Sequence, residues 1–346
     1  MFLNTSNLPD DVLAVEEMAP SVYILAAIAL GFIGFFGFSL NLLVILTVVI
    51  NANVLWTPNN MVLVNMVVGD LLVAILGNPV SMMSAISGAW YWSDKMCLWY
   101  AWFMSTMGFA SIGNLTVMAM ERYLLVKFPM KSLSKRNAYL VIFLVWIYAF
   151  CLSIPPFFNW GVYGFEAGNI SCSVSWNQHD PKTHNDTYIG FLFVFGFFLP
   201  ITLISFSYCG MIGTMKSIRK RLKSTNRRET KITQMVYLMI TAFLIAWTPY
   251  AIFALASQYF YVQISSSVAV VPALLAKSSI CYNPIIYASM NAQFSRFWKN
   301  RFFPKTTSKV TTNNTAVITK IEMKNFNRQQ PQTNKSNDST EYVSLK

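Results

Sequence analysis

Hydrophobic positions fall in seven long runs, and polar positions collect between them. The runs are Val22–Ile50, Met61–Ile86, Cys97–Val126, Ala138–Phe158, Ile189–Ile212, Met235–Phe260 and Ser267–Met290. Each reaches the roughly 20 residues that an α-helix needs to cross about 30 Å of hydrocarbon. The pattern predicts an all-α membrane protein, a bundle of seven transmembrane helices. Residues 1–20 then form an outer N-terminal segment and residues 21–290 the bundle. The first twenty residues are polar and acidic, with Asp10, Asp11, Glu16 and Glu17. They lack the basic start and short apolar core of a cleavable signal, so the first run would serve as the insertion signal.

After the last run the pattern changes twice. Over residues 291–303, Phe294, Phe297, Trp298 and Phe302 alternate with Arg296, Lys299 and Arg301. This predicts a short amphipathic eighth helix lying on the inner membrane surface. No cysteine follows it, which excludes a palmitoyl anchor there. Residues 304–346 are rich in Ser, Thr, Asn and Lys and predict a disordered cytoplasmic tail.

Composition agrees with lipid as the solvent: 55% of residues are hydrophobic and only 12% charged, against about 25% charged in soluble domains. The net charge of +12 would suggest nucleic acid until it is mapped. Twenty-three of the 26 Lys and Arg residues fall in the loops 127–137 and 213–234, in the tail, or at Arg122. This is the positive-inside distribution. It predicts a multi-pass protein of the cell membrane with its amino end outside and its carboxyl end in the cytosol. Nucleic acid is excluded as a partner. Attraction to anionic lipid is a secondary effect of the same charges.

Five cysteines are too few for a disulfide scaffold. Cys97 and Cys172 fall on the outer side, where oxidation is possible. Cys151, Cys209 and Cys281 lie inside runs and read as apolar packing. His179 and His184 share one outer loop, and so few ligands argue against a metal site. Asn4, Asn169 and Asn185 begin outer glycosylation sequons, whereas Asn114 begins one buried in the third run.

Polar groups inside a membrane are costly, so each asks for a reason. Asn41, Asp70 and Asn283 are three such groups. They read either as a network that holds the bundle together or as one that rearranges. Glu121-Arg122-Tyr123 closes the third run at the inner face, and Glu229 stands near the start of the sixth. An arginine held by acids from two helices would be a latch whose opening lets the helices part; the alternative is an interfacial anchor. Trp247-Thr248-Pro249-Tyr250 sets a helix-kinking proline beside an aromatic stripe shared with Phe243. Asn283-Pro284-Ile285-Ile286-Tyr287 repeats that logic in the seventh run, and Pro200 does so in the fifth.

Together these motifs resemble the class A G-protein-coupled receptors. The matches are Asn41, Asp70, Cys97, Glu121-Arg122-Tyr123, Trp146, Cys172, Pro200, Trp247-x-Pro249 and Asn283-Pro284-x-x-Tyr287, spanning residues 21–303. Lys277, six residues before Asn283, narrows the likeness. A lysine in mid-membrane must be neutral or paired, and a neutral amine can form a Schiff base with an aldehyde. With Leu275-Ala276-Lys277-Ser278-Ser279 the chain is similar to the animal opsins, of a non-visual or invertebrate-like kind, ciliary or cnidarian in type.

That resemblance implies retinal on Lys277, 11-cis in the dark, lying among Gly108, Phe197, Phe243, Trp247 and Tyr250. It implies a Cys97–Cys172 disulfide that folds the outer loop into a lid. Vertebrate visual pigments carry a Glu three residues after the third-run cysteine, where this chain has Tyr100. The loop acid six residues before Cys172 is Glu166, the expected counterion, and it implies a bistable pigment. The short loop 213–234 and Asn291-Ala292-Gln293 resemble the ciliary class, implying a heterotrimeric G protein of the Gi/Go, Gt or Gs type rather than Gq. A receptor kinase and arrestin would act on the tail. The chain is read as a receptor, not an enzyme. The alternatives are a retinal photoisomerase supplying 11-cis retinal, or a chemically activated receptor without a chromophore.

Overall fold

The computed structural model describes residues 18–128, 133–179, 181–222, 227–260, 262, 265–291, 294 and 297. Among the described residues, seven helices are long and apolar enough to cross a membrane. They are α1 (Pro20–Ile50), α2 (Pro58–Ser87), α3 (Asp94–Lys127), α4 (Lys135–Ser153), α5 (Asn185–Ser217), α6 (Lys231–Tyr259) and α7 (Ser266–Met290). The all-α seven-helix class is the expected one. Three helices start a turn earlier than their apolar runs, because Thr57, Ser93 and Ser134 accept hydrogen bonds from the N–H groups three residues on. α4 stops short of the expected Phe158: Pro155 and Pro156 cannot donate to a helix ladder, and the chain turns through a 3₁₀ segment, Pro155–Phe158.

Proline also distorts the long helices. π-helical turns occupy Val73–Gly77 before Pro79 and Leu192–Phe198 before Pro200. Pro249 lies inside α6 and Pro272 inside α7. Just past Lys277, α7 tightens into a 3₁₀ turn, Ser279–Cys281. Pro79 and Pro272 carried no expectation from sequence.

α3 is the axis of the bundle. Its buried positions run along it from Cys97 to Arg122, and it packs on α2, α4, α5 and α6. Large apolar side chains such as Phe32, Phe35 and Ile245 point outward, as a lipid-facing surface requires. Cys151 and Cys209 also point outward, so their apolar surroundings are lipid rather than the core. The weakly polar thiol is as compatible with lipid as with a core.

Some interior polar groups pair across helices. Asn283 donates to Asp70 at 3.2 Å. Asn41 does not join that pair. Its amide donates to the carbonyls of Gly37 at 2.7 Å and Ile280 at 2.9 Å, tying α1 to α7 through the backbone. Trp146 donates to Asn65, which donates to the buried Asn114.

Between α4 and α5 a two-stranded antiparallel hairpin forms the lid. β1 (Tyr163–Phe165) pairs with β2 (Cys172–Val174), with Phe165 opposite Cys172. The Cys97–Cys172 disulfide anchors β2 to α3. Tyr163 donates to the Ser153 carbonyl at 2.6 Å, and Tyr188 to that of Leu152 at 2.9 Å. The connecting turn needs Gly168: its φ is +77°, and a Cβ there would meet the Met18 side chain.

Asn4 lies outside the described residues, and Asn169 is half-buried on the turn. Asn185 is fully buried, and the expectation of a glycan there is corrected. Its amide nitrogen donates to the carbonyls of Ser175 and Gln178, and its oxygen accepts from the Val162 N–H. No amide proton is left for a sugar.

Candidate functional site

The site lies between the lid and the middle of α3, α5, α6 and α7. Lys277 reaches in from α7, and its Nζ sits 3.3 Å from Glu166 Oε2 and 3.3 Å from Ser171 Oγ. Glu166 follows β1 directly, so the hairpin delivers its carboxylate to the amine. Ser171 donates to the same carboxylate oxygen. Tyr250, from α6, donates to Glu166 Oε1 at 2.7 Å, lies 3.1 Å from Ser173 Oγ, and accepts from the Trp176 indole at 3.0 Å.

Burial pushes the Glu166 carboxyl up. The Lys277 ammonium and the hydroxyls of Ser171, Tyr250 and Ser173 outweigh it, leaving the group below the ordinary carboxylate range. A carboxylate at Glu166 thus has a basic partner 3.3 Å away in Lys277, where an isolated buried charge would be prohibitive.

Beside the ion pair is a cavity of about 170 Å³, narrowed by Phe197, Phe243, Trp247 and Tyr250. Trp247 stacks over Phe243 with ring centroids 5.5 Å apart, meets Tyr250 edge-on at 6.2 Å, and donates to Ser279 at 3.1 Å. Gly108 faces it from α3, where a Cβ would come within 3.0 Å of the Trp247 ring. Tyr100 lines the same cavity, but its hydroxyl donates to Ser81 at 3.2 Å rather than to the ion pair. The expected pocket residues are therefore assembled together. Ser171, Ser173, Trp176 and Ser279 belong with them and were not expected. Ser171 and Ser173 flank Cys172, which was the one available signal.

These residues fit retinal: a single buried amine, a carboxylate beside it, an apolar aromatic sleeve, and a glycine where a side chain would obstruct. By the donor set, Lys277 would hold the aldehyde end and Glu166 would compensate its charge.

At the opposite end, Arg122 pairs with Glu121 at 3.2 Å and borders a cavity of about 690 Å³ that also touches Lys231 and Met235. Tyr123 packs edge-on against Phe206, with centroids 5.8 Å apart. Glu229 falls within the helix Arg227–Tyr259, but its side chain lies outside the described residues, as does most of the expected helix 291–303. Phe294 is buried against Tyr287, at 5.4 Å.

Residues 40–287 match the family described as "7 transmembrane receptor (rhodopsin family)". The chain is 34% identical to a green-sensitive opsin of Gallus gallus over 75% of this chain and 74% of that one. It is 35% identical to a pinopsin of the same species over 69% of each chain. The crystal structure of squid rhodopsin superposes with a TM-score of 0.76 at 26% identity, covering 88% of this chain and 91% of that one. The chain belongs to the rhodopsin family of seven-transmembrane receptors and, within it, to the opsins.

Proposed function

We propose that this opsin is a light-sensing, G-protein-coupled receptor carrying retinal covalently on Lys277, with Glu166 as its counterion. The observation that carries the proposal is the 3.3 Å approach of Lys277 Nζ to Glu166 Oε2 at the rim of an aromatic cavity. Retinal supplies light absorption and an 11-cis to all-trans isomerisation. Trp247 and Tyr250 lie on α6 on either side of Pro249, so pressure on their rings bears on the kink. A shift of α6 there widens the Arg122 cavity, where a G protein of the Gi/Go, Gt or Gs type binds.

The charge distribution supports an outer amino end and a cytosolic carboxyl end. Glu166 sits on the lid, bonded to Ser171 and Tyr250, and need not leave the nitrogen when the chromophore straightens. That supports a bistable pigment whose photoproduct stays protonated. The Ser/Thr-rich tail supports a receptor kinase and arrestin as further partners. The test is an absorption spectrum of protein purified with 11-cis retinal. We expect a visible band in the dark, a stable visible photoproduct, and return under a second pulse of another wavelength. A photoproduct that decays to free all-trans retinal overturns bistability.

A further inference from the structure

The Lys277–Glu166 pair has a second cavity on its other side. This vestibule, of about 590 Å³, has Glu166, Lys277 and Ser171 at its floor. Its walls include Ser257 of α6 and Ala269 of α7. At its mouth stand Asn177 and His179, both exposed residues of the loop after β2. Ala269 and Ala273, four apart, share one helix face, and their small side chains leave the gap. Lys277, Glu166 and Ser173 line both this vestibule and the chromophore cavity, so the ion pair stands where the two spaces meet.

We propose that this vestibule is an aqueous access route from the lid face to the Lys277 nitrogen, so that water and small hydrophilic reagents reach it without crossing lipid. Three polar groups line the end of the route within reach of that nitrogen: Glu166 and Ser171 contact it, and Tyr250 contacts Glu166. A hydrated path is stable only where a site is both roomy and polar, and this one is both.

The route has a consequence that rests on the retinal reading given above. With retinal held on Lys277, water entering here would be the reactant for hydrolysis of that linkage, its oxygen passing to the released aldehyde and its two protons to the Lys277 nitrogen, so that the chromophore would be exchangeable from the lid side.

The access itself is tested without retinal. The full-length apoprotein is treated with formaldehyde and cyanoborohydride, which converts accessible amines to methylamines by hydride reduction. Methylation is then followed residue by residue by peptide mass spectrometry. Lys95 and Lys182, exposed at the lid end, serve as internal references. We expect Lys277 to be methylated in the parent. Ala269→Leu, which fills the wall, and Asn177→Trp, which obstructs the mouth from an exposed position, should each slow it by roughly tenfold, since a filled interior leaves no void for solvent. Lys95 and Lys182 should react unchanged. Asn177→Trp alters only a surface residue and keeps the test valid if Ala269→Leu fails to fold. A parent in which Lys277 stays unmodified while both references react overturns the proposal. So does an unchanged Lys277 rate in Asn177→Trp. If Lys277 is methylated but no pigment forms with retinal, the access route stands and the chromophore reading falls.

Discussion

Replacing Glu166 with Gln removes one negative charge and nearly nothing else, so the ion pair can be evaluated from its geometry. The Lys277 nitrogen and the Glu166 oxygen are 3.3 Å apart. At an effective dielectric constant of about 20, unit charges at that distance attract by about 5 kcal/mol. At 1.36 kcal/mol per unit, this corresponds to a fall of roughly 3–4 units in the pKa of the retinal-bearing nitrogen. The hydroxyls of Ser171 and Tyr250 remain and can reorient toward the glutamine, which places the expected shift at the lower end. The assay is a spectrophotometric pH titration of purified dark pigment. The parent should hold its visible band across neutral pH. Glu166→Gln should absorb in the near ultraviolet at neutral pH and regain the visible band on acidification. A variant whose titration midpoint lies within about one unit of the parent would falsify the assignment of Glu166 as the charge partner. The parent carries a second pH signature. The folded Glu166 carboxyl titrates below its ordinary range, so its stabilisation is complete above the unfolded value and is lost as pH falls through the lowered one. Thermal stability of the dark state should therefore hold through mildly acidic pH and drop only below the usual carboxylate range.

Gly108→Leu should abolish pigment formation while leaving a folded, monodisperse protein, because even a Cβ at that position comes within 3.0 Å of the Trp247 ring; normal retinal uptake by the variant would contradict the placement of the chromophore against α3. Glu229→Ala should raise G-protein activation in the dark if its carboxylate helps hold Arg122, and activity equal to the parent would show that Glu121, 3.2 Å from Arg122, suffices. Truncation after Pro304 removes Thr306, Thr307, Ser308, Thr311 and Thr312. Phosphates there would offer a partner strong acceptors, so signalling after a flash should last longer, and unchanged decay would refute a role for the tail.

The parts of this molecule that were legible in sequence are those governed by one-dimensional constraints. Seven runs long enough to cross lipid can be counted, and a lone lysine inside the last of them is conspicuous because lipid tolerates no idle amine. Glu166 was a candidate through the resemblance to opsins, which directs attention to the acid six residues before Cys172. Its hydrogen-bonding partners were not, because only the β1–β2 pairing brings Ser171 and Ser173 around the carboxylate, and strand register is a tertiary property. Asn185 shows the same limit from the other side. A sequon is read over three residues, whereas the burial of that asparagine depends on the loop folding back over Ser175 and Gln178. Asn41, Asp70 and Asn283 were legible as costly polar groups, but their pairing was not: Asn41 bonds to the Ile280 carbonyl, which the 3₁₀ turn in α7 presents. Cys151 and Cys209 were legible as apolar, but not which way they face, because an apolar residue in a span faces lipid as readily as core.

The central claim is that Lys277 carries retinal. It is tested most directly by borohydride reduction of the dark pigment followed by peptide mass spectrometry. A retinyl group on the peptide containing Lys277, lost together with the visible band in Lys277→Ala, is the predicted result. A retinyl adduct on any other lysine, or an adduct and visible band that survive Lys277→Ala, would contradict it.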